Sequence, residues 1–77
     1  MNNNIIYGGE IVEKLLERRE WLVDLRDTSD LTQVEVSQLI GIERSTYTKA
    51  EIGYPISVKT AKMIADYYGV DWTLFFK

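Results

Sequence analysis

The chain contains no cysteine and no histidine. The first absence excludes disulfides, thiolate zinc sites, iron–sulfur clusters and a cysteine nucleophile. The second removes the commonest general base, the histidine-centred triads and most transition-metal sites. No apolar run approaches the ~20 residues needed to span a bilayer. The opening residues, Met1 to Gly9, lack the basic-then-apolar order of a secretory leader. Together these absences predict a cytoplasmic protein that is not an enzyme, with no metal, cofactor, small-molecule ligand or membrane partner.

What is present suits a single small domain. At 77 residues the chain should bury roughly 60–65% of its unfolded surface. Its apolar fraction of 45% and charged fraction of 27% are those of a globular chain. Residues 10–27 hold no glycine or proline and are rich in Glu, Leu and Arg, which favour helix. Ile11, Val12, Leu15 and Leu16 form one apolar stripe there, and Trp21, Leu22, Val23 and Leu25 another. Arg18, Arg19 and Glu20 separate them, so the stretch reads as one helix or as two joined at that point. Thr28-Ser29-Asp30 reads as a turn. Thr32 and Glu35 have the spacing of a capping box, opening a helix to about Ile40 that buries Val36 and either Leu39 or Ile40. Gly41 ends it. A short helix over residues 43–51 follows, stopped by Gly53-Tyr54-Pro55. Ser57 caps a helix to Tyr68, with Ala61, Ile64, Ala65 and Tyr68 on its core face. Gly69 ends that helix, and Asp71 caps a last apolar turn, Trp72 to Phe76. No strand alternation is visible, so the expected fold class is all-α.

Residues 33–52 have the pattern of a helix-turn-helix: two short helices around a glycine turn. The crossing needs a small residue, which Ser37 supplies. The turn needs a residue tolerant of positive φ, which Gly41 supplies. The second helix needs residues facing the core, here Tyr47 and Ala50. The text LTQVEVSQLIGIERSTYTKAEIGYPISVKTAKMIADYYGVDWTLFF, Leu31 to Phe76, resembles the lambda-repressor-like (Cro/repressor, xenobiotic-response-element) helix-turn-helix domains. The likeness extends back through Leu22, Leu25 and Arg26.

This resemblance implies a five-helix bundle whose third helix enters the DNA major groove. An N-terminal helical extension, residues 1–20, precedes the helix-turn-helix domain, residues 21–77. By the same resemblance Gln33 contacts a phosphate or the edge base pair. Arg44, Ser45, Thr48 and Lys49 are the base readers, with Arg44 suited to the O6 and N7 of guanine. Thr46 and Tyr54 are phosphate contacts. Arg26 and Glu51 are the family's structural ion pair. The implied function is sequence-specific binding of double-stranded DNA as a small transcriptional repressor of phage, prophage or mobile-element type, acting as a homodimer. Trp72, Leu74 and Phe75 either form the dimer surface or pack inside the domain, where Phe75 and Phe76 match family core positions.

Two features depart from the family. Ile52 stands where asparagine usually follows the glutamate. Glu43 places an acid at the front of the second helix-turn-helix helix. The net charge is −3, but residues 31–62 carry four bases (Arg44, Lys49, Lys59, Lys62) against three acids (Glu35, Glu43, Glu51). The acidic excess lies mainly in the first thirty residues. An alternative reading follows: a protein-binding adaptor, antirepressor or antitoxin-like, that uses the bundle as a scaffold and the N-terminal helix as its docking element.

Overall fold

The computed structural model describes residues 16–77. Four α-helices and one 3-10 helix are present among them: α1 Glu20–Ser29, α2 Gln33–Ile40, α3 Arg44–Ile52, α4 Val58–Tyr68 and the 3-10 helix Trp72–Phe76. No described residue is in a strand. The last turn expected over Trp72 to Phe76 is the 3-10 helix, so the described residues hold four α-helices and not the five that the resemblance implies. The extension expected over residues 1–20 lies, up to residue 15, outside the described residues.

Of the two readings of residues 10–27, the single continuous helix is excluded, because Leu16–Arg19 are non-helical and α1 starts only at Glu20. The reason is tertiary. Arg19 gives its backbone N–H to the Glu51 carbonyl at 2.9 Å, so that donor is not available to a helix coming from residue 15. At the other end α1 continues through the expected turn to Ser29. The Thr28 and Ser29 hydroxyls donate back to the carbonyls of Asp24 and Leu25, four residues earlier, which reconciles these turn-favouring residues with helix. Asp30 closes α1 in the left-handed region, at φ 59°, a conformation that aspartate tolerates better than most residues.

The next elements are set by local chemistry. The Thr32 hydroxyl accepts from the Glu35 N–H, and the Glu35 carboxylate accepts from the Thr32 N–H, completing the capping box of α2. Gly41 turns the chain at φ 92°. Ser37 is buried where α2 meets α3, and its hydroxyl donates to the Val34 carbonyl at 2.8 Å. A larger side chain there would hold the two helices apart. Of the apolar residues of α2, Val36 is fully buried and Ile40 lies against the core, whereas Leu39 is 61% exposed. Ser57 caps α4 by accepting from the Thr60 N–H, and Asp71 caps the 3-10 helix by accepting from the Thr73 N–H.

The core is formed by Leu22 of α1, Val36 of α2, Tyr47 and Ala50 of α3, Ala61 and Ile64 of α4, and Phe75. Tyr47 is its largest fully buried side chain. Its hydroxyl pairs with that of Tyr68 at 2.8 Å, so a polar atom enters the core satisfied. Burial pushes the Tyr47 phenol well above its usual range, with the Tyr68 hydrogen bond adding to the shift. Phe75, one of three residues expected at a dimer surface, is instead 5% exposed, edge-on to Trp21 at 4.8 Å. The 3-10 helix turns it inward and leaves its neighbour Phe76 half exposed.

Candidate nucleic-acid interface

Helix α3 carries the exposed polar face of the motif. At 100° per residue, Arg44, Ser45, Thr48 and Lys49 share one side, Tyr47 and Ala50 lie across the helix from it, and these two are buried together with Glu51 at the boundary one turn beyond Thr48. Arg44, Ser45 and Lys49 are exposed, and Thr46 and Thr48 are half-buried at the edges of the face. Tyr54 is half-buried just beyond the helix, with the Lys49 ammonium 5.9 Å from its ring centre. Glu43 is exposed at the N-cap and makes no side-chain capping bond.

A polar network underlies this face. Arg26 of α1 grips Glu51 with two donors, Nε to Oε2 at 2.7 Å and Nη2 to Oε1 at 3.1 Å. Its third contact is to the Leu31 carbonyl. Glu51 is 3% exposed, so this is a desolvated, bidentate pair. Burial alone would raise the Glu51 carboxyl. The hydrogen bonds from Arg26 and Gln33, with the Arg26 charge, outweigh it and hold Glu51 below the ordinary carboxylate value. The Glu51 hydrogen bond raises the Arg26 guanidinium in turn.

Two residues expected to face DNA independently are tied into this network. Gln33 donates from Nε2 to Glu51 Oε1 at 2.8 Å, and Thr48 donates from Oγ1 to Gln33 Oε1 at 3.0 Å. The first residue of α2 is thus linked directly to the middle of α3 and, through the buried carboxylate, to its C-terminal end. Spacing gave no sign of this link, because Gln33 and Thr48 are fifteen residues apart and meet only through the helix crossing.

Arg19 was likewise not legible. In the sequence it separates two apolar stripes. In the fold its guanidinium donates to the carbonyls of Ala50 at 2.8 Å, Tyr54 at 2.9 Å and Phe75 at 3.4 Å, and stacks over the Phe75 ring. It thereby ties the C-terminal end of α3 to the 3-10 helix, and a cation there also suits the helix dipole. Burial lowers its pKa from the usual guanidinium value. The chain before it runs so close to Gly53 that a Cβ at that position would collide with the Glu17 carbonyl. Gly53 also has φ 114°, a region that favours glycine. Replacing Arg19 with methionine keeps the stem and leaves those carbonyls without their donor. We expect a loss of about 2 kcal/mol, read as a lower midpoint in urea denaturation. An unchanged midpoint would show that water replaces the guanidinium at no cost.

Among the described residues there is no cluster of three potential metal-ligating side chains, and no helix is long and apolar enough to cross a membrane. Comparison with curated proteins and with solved structures finds no match. A family model described as helix-turn-helix matches residues 22–75, from the first core residue of α1 to the buried Phe75. With the capped α2, the glycine turn and the exposed face of α3 in place, the chain belongs to the lambda-repressor-like helix-turn-helix family, a family of DNA-binding regulators.

Proposed function

We propose that this protein is a sequence-specific, double-stranded DNA-binding regulator, a repressor of phage or mobile-element type that acts as a homodimer in the cytoplasm. The observation that carries the reading is the exposed α3 face of Arg44, Ser45, Thr48 and Lys49, opposite a fully packed side. Arg44 offers a bidentate fork to guanine. Lys49 supplies a positive charge, and Gln33, Thr46 and Tyr54 flank the face as phosphate contacts. With three to five phosphates per monomer, the logarithm of affinity should fall with that of salt at a slope of roughly −3 to −4.5 for each monomer bound, and about twice that for the dimer. Trp72 and Leu74, with the exposed Val58, Tyr67 and Phe76, supply apolar surface for a second copy. A dimer would meet two half-sites about one helical turn apart.

The deciding experiment selects random duplexes on the purified protein at low salt and sequences those retained. An enriched, roughly palindromic motif is expected. Folded, monodisperse protein that enriches nothing would overturn the proposal. It would favour the second reading, a protein-binding adaptor. The observation behind that reading is the exposed Glu43 at the start of α3, where its charge opposes phosphate.

A further inference from the structure

The network beneath α3 fixes the hydrogen-bonding polarity of one group on the proposed DNA face. Glu51 is gripped by two Arg26 donors and is held ionised, so its oxygens only accept. The Gln33 group that meets Glu51 Oε1 at 2.8 Å must therefore be the NH2 end of the amide. That settles the orientation of the Gln33 side chain and turns its carbonyl oxygen to Thr48. A carbonyl carries no hydrogen, so the one hydroxyl hydrogen of Thr48 is donated to it, at 3.0 Å. What remains on the half-buried Thr48 is a lone-pair acceptor and a methyl group.

Resting on the DNA-binding reading above, we propose that Thr48 reads an A·T pair as an acceptor with a methyl, and that Glu51 and Gln33 are the positioning residues that impose this polarity. In the major groove, adenine N6 and cytosine N4 donate, whereas guanine O6 and N7 and thymine O4 accept. A hydroxyl that only accepts matches the two amino groups and rejects the acceptors. The γ-methyl then separates the two allowed cases. With adenine on the strand that Thr48 faces, the amino donor meets the hydroxyl and the thymine methyl lies beside it, whereas the reversed T·A pair turns the O4 acceptor towards the hydroxyl and C·G has no methyl. The buried Arg26–Glu51 pair that joins α1 to α3 thus also sets a base preference at the surface, through an amide that need not touch that base.

The test compares the wild type with Thr48→Ser, Thr48→Val and Gln33→Met. Each is checked for folding by its melting curve, then titrated on duplexes carrying all four pairs at each position of the selected half-site. The wild type should prefer A·T about tenfold over G·C and T·A at one position, the position that the Thr48 variants alter. Thr48→Ser keeps the relay and loses the methyl, so C·G should rise to within a few-fold of A·T. Thr48→Val keeps the methyl and puts a second one in place of the acceptor, so the preference for A·T over T·A should fall towards one. Gln33→Met frees the hydroxyl hydrogen, so G·C and T·A should recover at that position alone, whatever uniform loss of affinity accompanies the change. A general structural role for Gln33 would lower affinity without changing base identity at one position. A wild-type preference for G·C or T·A at the Thr48-sensitive position would overturn the proposal. So would a motif that Thr48→Val and Gln33→Met leave unchanged. If the wild type selects no motif, the DNA-binding reading itself fails, an outcome distinct from a motif that these variants do not alter.

Discussion

Replacing Glu51 with alanine is expected to destabilise the domain by about 3 kcal/mol, because removing one member of a buried ion pair strands the other. Arg26 has few other partners: its remaining contacts are the Leu31 carbonyl and an outlying carboxylate, Asp27, at 3.9 Å. Gln33 loses its acceptor as well. For a domain of this size each 1 kcal/mol moves Tm by roughly 4–8 °C, so the melting curve should shift down by roughly 15 °C. Such a change would use up much of the stability that small domains possess. Acid should reproduce part of the effect. Glu51 has a folded-state pKa below its unfolded value, which for glutamate is about 4.3. Its stabilisation is therefore complete above about pH 4.3 and is lost as pH falls through the lower, folded-state value. Glu51→Gln keeps an acceptor for Gln33 but has no charge to titrate, so it should be less destabilised at pH 7 and show a flatter acid limb. Melting curves from pH 2.5 to 7 measure both effects, and a wild-type curve retained by Glu51→Ala would remove the pair from the list of stabilising contacts.

The second large effect is on binding. Arg44→Ala combined with Lys49→Ala should weaken binding to the selected duplex about a hundredfold, combining a lost guanine fork with a lost positive charge. The salt slope should become shallower by about one for each phosphate contact removed. Both side chains are exposed, and neither belongs to the Arg26–Glu51–Gln33–Thr48 network. Stability should therefore change by no more than about 0.5 kcal/mol. Fluorescence anisotropy titrations at several salt concentrations separate the two contributions. Arg44→Ala alone and Lys49→Ala alone should each relax preference, at different base pairs. Equal affinity of the double variant and the wild type would place the DNA-binding surface elsewhere, or leave the protein-binding reading. That reading predicts that a bound partner protein is retained by the double variant.

The proposed dimerisation bears on the same measurement. The structure withdraws Phe75 from the candidate dimer surface, because that ring fills the gap between Trp21 and the Arg19 guanidinium. Trp72 is half-buried, with the Lys62 ammonium 5.1 Å from its ring centre, which leaves part of the indole accessible. Apolar surface at this end of the domain therefore comes from Phe76, the flank of α4 and the accessible parts of Trp72 and Leu74, not from Phe75.

The sequence by itself determined the features that depend on neighbours within four residues. Thr32 with Glu35, Gly41, Gly53, Ser57, Gly69 and Asp71 mark where helices begin and end, since caps and left-handed turns are local hydrogen-bond and steric problems. The spacing of Val36, Tyr47, Ala50, Ala61 and Ile64 identified the buried faces, since helical periodicity is also local. The exposed side of α3 followed as the complement of its buried side. Tertiary structure decided everything that joins residues distant in the chain. It decided between one helix and two over residues 10–27 by excluding the continuous one, because a carbonyl of α3 takes the Arg19 backbone donor. It made Arg19 a clamp on three carbonyls up to fifty-six residues away, turned Phe75 inward and Phe76 outward, and tied Gln33 and Thr48 to a buried carboxylate. None of these has a periodicity to read. Each depends on where helices cross, and a crossing is set by the packing of the whole core.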